Sequence, residues 1–163
     1  MAFHITRRGV MPLNKVKPIT ILMADDDEDD RLLTQDALAE SRVLNELFFV
    51  EDGVELLEYL ERKGKFSEKE NSPRPGLILL DLNMPRMDGR EALQAIKANP
   101  NLKGIPVVIL TTSKQEEDMV KGYDLGAASY ITKPVTFEGL VELMQTLGKY
   151  WVEFVELPPS QND

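Results

Sequence analysis

The stretch Leu77-Ile78-Leu79-Leu80-Asp81-Leu82-Asn83-Met84-Pro85-Arg86-Met87-Asp88-Gly89 decides the fold. Four apolar residues run without alternation into one aspartate, and Pro85 and Gly89 then turn the chain. An unbroken apolar run this short, closed by turn residues, reads as a strand buried on both faces. Asp81 falls at the carboxyl end of that strand, where open parallel sheets place their ligands. A carboxylate there faces a crevice; taken alone, it could equally be a loop acid or a helix N-cap.

The same grammar repeats on both sides. Upstream, the apolar run Ile19 to Ala24 leads straight into six consecutive acids, Asp25 to Asp30. Leu32, Leu33, Ala37 and Leu38 then recur at helical spacing, giving a helix that ends near Arg42. Leu47 to Val50 is a second strand, and Val54, Leu57 and Leu60 carry a second helix. Lys63 to Pro75 is polar, holds Gly64 and Pro73, and reads as a surface loop longer than most in such folds. Downstream, Glu91 to Ala98 is helical and is stopped by Asn99-Pro100. Ile105 to Leu110 is a strand, and Lys114 to Leu125 a helix with Gly126 as its stop. Ala128 to Ile131 is the last strand, and Thr136 caps a final helix carried to about Val155. Residues 1–16 show no clear period and are expected to be a mobile tail. Residues 17–157 form one domain, and 158–163 a short C-terminal tail.

Five alternations of strand and helix predict an α/β, flavodoxin-like (βα)5 three-layer sandwich. Right-handed crossovers give its parallel five-stranded sheet the order 2-1-3-4-5. The first and third strands are then neighbours at the switch point, so Asp25, Asp26 and Asp81 meet in one crevice.

Composition narrows the chemistry. The chain of 163 residues has no cysteine, and His4 is its single histidine. Thiolate metal sites and disulfides are excluded, and a single histidine leaves no imidazole cluster for a metal. A net charge of −9 argues against a nucleic-acid surface. No apolar run approaches a membrane span, and no signal peptide is visible, so a cytoplasmic location is expected.

Three converging carboxylates repel and raise one another's pKa unless a cation intervenes. Lys133, just after the fifth strand, can supply one charge. An all-oxygen ligand set selects Mg²⁺ or a similar hard ion for another. Thr111, ending the fourth strand, adds a hydroxyl. A carboxylate nucleophile, a metal, an ammonium and a hydroxyl suit in-line phosphoryl transfer to Asp81.

With these residues in order, the chain resembles a response-regulator receiver domain of two-component signalling. The resemblance rests on Asp25-Asp26, Asp81 in Leu-Asp-Leu-Asn-Met-Pro-Arg-Met-Asp-Gly, Thr111 after Ile109-Leu110, and Lys133-Pro134 after Tyr130. It implies that Asp81 is the phosphoacceptor. It implies Mg²⁺ bound by Asp26, Asp81 and the backbone carbonyl of Asn83, with Asp25 acting through water. Lys133 and Thr111 would hold the phosphoryl group, Tyr130 would change rotamer with Thr111, and the Lys133-Pro134 bond would be cis. The long 63–75 loop and the Lys149-Tyr150-Trp151 ending are further similar to regulators that partner bacterial phytochrome-type histidine kinases. The partner implied is a sensor histidine kinase, with the signal leaving through protein contacts in a phosphorelay, without nucleic acid or membrane.

Other readings stand beside these. Asp27 to Asp30 fit first-turn acids favoured by a helix dipole, and Asp88 a turn or N-cap. Thr112 competes with Thr111, and Tyr130 serves plain packing equally well. A haloacid dehalogenase-like phosphohydrolase also uses an aspartate after a strand, with Mg²⁺, Thr and Lys. Its usual second aspartate two residues on is Asn83 here, which transfers no protons.

The final helix carries two apolar stripes. Phe137, Leu140, Val141, Met144, Gly148, Trp151 and Val155 form the one expected on the sheet. Leu143, Leu147, Tyr150 and Phe154 have the spacing of a helix–helix seam and predict a homodimer. The alternative cover for them is the 63–75 loop or the N-terminal tail.

Overall fold

The computed structural model describes residues 3–6, 9–12, 19–40 and 45–147. Among the described residues, seven strands form two sheets. Strands β1 (Phe3–Thr6) and β2 (Gly9–Pro12) pair antiparallel, Phe3 opposite Pro12 and Thr6 opposite Gly9. This ribbon lies within the stretch read as a tail; Phe3-His4-Ile5-Thr6 alternates apolar and polar, but over only four residues, and Gly9-Val10-Met11-Pro12 does not alternate.

The main sheet contains β3 (Ile21–Ala24), β4 (Leu47–Val50), β5 (Leu77–Asp81), β6 (Val107–Thr111) and β7 (Ser129–Thr132). Its order is β4-β3-β5-β6-β7, all parallel, which is the expected 2-1-3-4-5 arrangement. The helices are α1 (Glu28–Glu40), α2 (Gly53–Glu61), α3 (Gly89–Ala98), α4 (Lys114–Lys121) and α5 (Phe137–Leu147).

The apolar strands divide by parity into two cores. Leu22, Ala24, Ile78, Leu80, Val107 and Ile109 face α2, α3 and α4, where Leu56, Tyr59, Leu93, Ile96 and Val120 complete the layer. Ile21, Met23, Leu77, Leu79, Val108 and Leu110 face α1 and α5, where Leu38, Leu140 and Leu143 meet them. Every residue of β3, β5 and β6 is buried, which is why these strands read as runs rather than alternations.

Helix phases differ from expectation in four places. On α1 the buried residues are Thr34, Ala37 and Leu38, while Leu32 and Leu33 stay 49% and 47% exposed. Asp27 caps the helix by accepting from the N–H groups of Asp29 and Asp30, and packing of Leu38 on the sheet goes with this phase. On α2, Leu56 and Tyr59 are the fully buried side chains; Leu57 and Leu60 are half-buried. Helix α4 closes at Gly122 rather than running to Leu125, and Asp124 and Gly126 then take positive φ. On α5, Leu143 is 3% exposed and packs into the core with Leu140. The sheet therefore occupies the first member of the expected dimer seam. The extension of this helix to Val155, and the side chains of Leu147, Tyr150 and Phe154, lie outside the described residues.

The 63–75 loop is a compact plug of two 3₁₀ turns, Gly64–Phe66 and Lys69–Asn71. Phe66 is buried against Tyr59, with ring centroids 5.2 Å apart. The Tyr59 hydroxyl donates to the Pro73 carbonyl at 2.8 Å, and Ser72 Oγ to the Phe66 carbonyl at 2.7 Å. Burial pushes the Tyr59 phenol up to about 12. This plug joins the α2 side of the sheet, so among the described residues it does not cover α5.

Candidate functional site

The site is assembled at the carboxyl ends of β3, β5 and β6. Because β3 and β5 are neighbours, Ala24 pairs with Leu80 and the chain delivers Asp25 and Asp81 side by side. Both are buried, Asp25 at 0% and Asp81 at 4% exposure, whereas Asp26 is exposed. Asp25, Asp26 and Asp81 each place a carboxylate oxygen within 4.8 Å of the others.

Lys133 enters from the end of β7, and the Lys133–Pro134 peptide is cis. Its Nζ donates to Asp30 Oδ2 at 2.7 Å and to Asp81 Oδ2 at 2.9 Å. Asp25 Oδ2 lies 3.0 Å away as an ion pair. Burial works against the ammonium, but hydrogen bonds to Asp30, Asp81 and Asp25 outweigh it and hold the lysine above its ordinary pKa. The group is a permanent cation.

One ammonium does not satisfy this pocket. Burial pushes the Asp25 carboxyl up to about 6, although the Asp27 N–H and Lys133 pull it down. The Asp81 charge adds to the rise. Asp25 Oδ1 accepts from the Asp27 N–H at 2.9 Å. With the shorter Lys133 hydrogen bonds directed at Asp30 and Asp81, the buried Asp25 Oδ2 has only the 3.0 Å contact to the shared ammonium. Three carboxylates that share one ammonium, two of them buried, fit a hard divalent cation with water in its shell.

The run of six acids thus separates into distinct jobs. Asp25 and Asp26 line the crevice, Asp27 caps α1, and Glu28 and Asp29 are exposed in the first turn. Asp30 turns inward to Lys133, contrary to its reading as a plain first-turn acid. No spacing in the run of acids sets it apart from its neighbour Asp29.

Thr111 is fully buried at the end of β6, and Thr112 is exposed. Thr112 Oγ1 donates to Glu116 Oε2 at 2.8 Å, which commits it to α4. Thr111 Oγ1 makes only a long 3.4 Å bond to the Ile131 carbonyl, while the Lys133 N–H donates to the Thr111 carbonyl at 2.8 Å. Tyr130 is half-buried against the core, its ring 5.4 Å from Lys121 Nζ. Asn83 is exposed, and its N–H donates to Asp81 Oδ1 at 3.1 Å.

The turn after β5 is held from outside. Arg86, with φ 63°, forks onto Asp52 through Nε at 2.7 Å and a second nitrogen at 3.1 Å. Burial would raise the Asp52 pKa, but Arg86 and the Glu55 N–H together hold it below the usual aspartate value. The Gly53 N–H donates to the Met87 carbonyl at 3.0 Å. Asp88 caps α3 by accepting from the Glu91 N–H. Neither Arg86 nor Asp52 was a sequence candidate.

This fold and pocket define a class. Residues 21–145 match the family described as response regulator receiver domain. The chain belongs to the receiver-domain family. It is 44% identical over 143 residues to response regulator Rcp1 of Synechocystis sp., covering 88% of this chain and 95% of the relative. A structure of the Mn(2+)-bound form of Rcp1 aligns over 87% of this chain and 100% of that one, with a TM-score of 0.64. The bacteriophytochrome response regulator RtBRR is 42% identical, with TM-score 0.77, covering 88% of this chain and 86% of its own. The phosphorylated cyanobacterial phytochrome response regulator RcpA is 41% identical, with TM-score 0.66, covering 88% and 100%. The chain is therefore a receiver-domain response regulator similar to those of phytochromes. Among the described residues, no helix is long and apolar enough to cross a membrane.

Proposed function

We propose that this protein is a phosphorylation-dependent signalling switch that takes a phosphoryl group from a histidine kinase onto Asp81. The observation that carries the reading is the convergence of Asp25, Asp26 and Asp81 around the Lys133 ammonium at the sheet's carboxyl edge. Asp81 is buried and held at both oxygens, by the Asn83 N–H and by Lys133, so its orientation is fixed before any donor arrives.

In the transfer, an Asp81 carboxylate oxygen forms the new O–P bond. The donor's bond to phosphorus breaks, and its electron pair leaves with the donor. Asp26, Asp81 and the Asn83 carbonyl would hold Mg²⁺, with Asp25 acting through water. The cation supplies charge stabilisation for the phosphoryl oxygens. Lys133 neutralises one of those oxygens, Thr111 donates its weakly engaged hydroxyl to another, and Tyr130 follows Thr111. The kinase is of the phytochrome type, on the resemblance to Rcp1, RtBRR and RcpA. The site acts in the cytoplasm through protein contacts, without DNA or membrane. Pairing of two copies through Leu147, Tyr150 and Phe154 rests on their spacing alone.

The hydrolase reading is not favoured: the chain matches the receiver family, and Asn83 stands where a proton-transferring aspartate is needed. Incubation with Mg²⁺ and a small acyl phosphate, followed by intact mass, tests the proposal. One added phosphoryl group is expected, and none on Asp81→Asn. Equal labelling of that variant overturns the assignment, and steady turnover of a generic phosphate ester revives the enzyme.

A further inference from the structure

Asp30 makes the shortest of the three contacts to Lys133, and it comes from α1 rather than from a strand end. It differs from the other two acids in one respect. Asp25 and Asp81 belong to the group able to hold a cation; Asp30 does not. A dication settling among Asp25, Asp26 and Asp81 draws on the charge that Lys133 shares, and it repels the ammonium directly. Phosphorylation then turns the Asp81 carboxylate into an acyl phosphate, whose carboxyl oxygens are no longer anionic acceptors. Of the three anchors, Asp30 alone neither belongs to the cation group nor carries the phosphoryl group.

We propose that Asp30 is a positioning residue that keeps the Lys133 ammonium at the site once the cation and the phosphoryl group have claimed its other partners. The inference rests on the receiver reading given above. The geometry suits the task. The Lys133 side chain is 14% exposed and that of Asp30 23%, so their bond is sheltered from water on most sides. Asp30 is fixed by its own backbone: its N–H donates to the Asp27 cap, and its carbonyl accepts from Thr34 Oγ1 at 3.0 Å. A lysine has three donors, so Nζ can keep Asp30 while swinging its other hydrogens from carboxylate to phosphoryl oxygen. Lys133 is thus tied to the first turn of α1.

The test follows the ammonium itself. In ¹⁵N spectra of lysine side chains, a sheltered Nζ exchanges slowly enough to be seen, and Lys133→Met assigns the signal. In wild type the signal is expected both without metal and with saturating Mg²⁺. In Asp30→Ala it is expected without metal, where Asp25 and Asp81 still hold the lysine, and lost when Mg²⁺ binds. Asp30→Asn, which keeps an acceptor, restores part of it. At saturating Mg²⁺, labelling by a small acyl phosphate is expected to slow about tenfold in Asp30→Ala and less in Asp30→Asn, consistent with loss of one charge-assisted hydrogen bond. Melting in metal-free buffer should not fall, because a negative charge leaves an acid cluster; a merely structural role predicts a lower melting point with an unchanged rate. Persistence of the Mg²⁺-loaded signal in Asp30→Ala at wild-type intensity overturns the proposal. A wild type that is never labelled refutes the receiver reading instead, while the ammonium experiment with Mg²⁺ alone still decides this one. A wild type that binds no Mg²⁺ overturns both.

Discussion

Gly89→Ala is the most informative single change outside the acid cluster. By helix propensity alone it should help, because Gly89 is the first residue of α3 and alanine gains up to about 1 kcal/mol over glycine inside a helix. The surroundings reverse the sign. A Cβ at this position collides with the Asp81 carbonyl oxygen and meets Leu82 Cα at 2.7 Å, both backbone atoms at the end of β5. Ordinary contacts lie at roughly 3.5 Å, so strand and helix must separate by about 1 Å. The Gly89 N–H donates to the Leu82 carbonyl at 2.9 Å, and that bond strains as the two move apart. Overpacking of this kind costs roughly 1–3 kcal/mol; less the propensity gain of up to about 1 kcal/mol, a net loss of about 1 kcal/mol is expected. The displaced atom belongs to Asp81, and a shift of about 1 Å at a reacting group can cost on the order of 100-fold in rate. Urea unfolding followed by far-UV circular dichroism reads the first effect, and mass-resolved labelling by a small acyl phosphate the second. Gly104→Ala is the control: nothing lies within 4 Å of its Cβ, and no loss is expected. A Gly89→Ala protein as stable as wild type, labelled at the wild-type rate, would refute the reasoning.

Asp26→Ala removes an exposed member of the carboxylate group. Calorimetric titration should show Mg²⁺ affinity down at least about tenfold, the size of one lost charged ligand, with metal-free stability undiminished; unchanged affinity would move the metal elsewhere. Asp52 has a folded pKa below its ordinary 3.8, so its pairing with Arg86 stabilises the fold above that value and the contribution fades as pH falls below it. Asp52→Asn keeps the N-cap acceptor and loses the charge, so the stability gap to wild type should be widest at neutral pH and close below about pH 4; a gap independent of pH would show that only the cap matters. Phe66→Ala empties the ring contact with Tyr59, and denaturant titration should register a loss of about 3 kcal/mol. A loss under about 1 kcal/mol would mean that the loop contributes little to the core.

The strands were legible because a strand buried on both faces has to be apolar throughout, and Leu77-Ile78-Leu79-Leu80 states that openly. Once the order was fixed, topology alone brought Asp25, Asp81 and Lys133 together, although the lysine is 52 residues from its acceptor. What stayed hidden depends on rotation about a helix axis. Leu32 and Leu33 look as eligible for the core as Ala37 and Leu38, and only packing against the sheet separates them. Asp30 and Asp29 are chemically identical neighbours, and one helical step of 100° separates a partner of Lys133 from a solvated acid. Leu143 could belong to either apolar stripe of α5, because those stripes adjoin; packing on the sheet decided it. Arg86 and Asp52 sit 34 residues apart, and no local pattern announces a pair joined across two turns.

The plug between α2 and β5 offers a practical handle. It fastens to its own side of the sheet, and it precedes the first residue of β5, while Asp81 is the last. At about 3.3 Å per residue the strand sets these two ends roughly 13 Å apart. Glu68, Lys69 and Glu70 are exposed there. A fluorophore or affinity tag joined at these positions would ride on a rigid mount, away from the acidic crevice. Changes in its rotational freedom would then report tumbling of the whole body, free of interference from chemistry at the other pole.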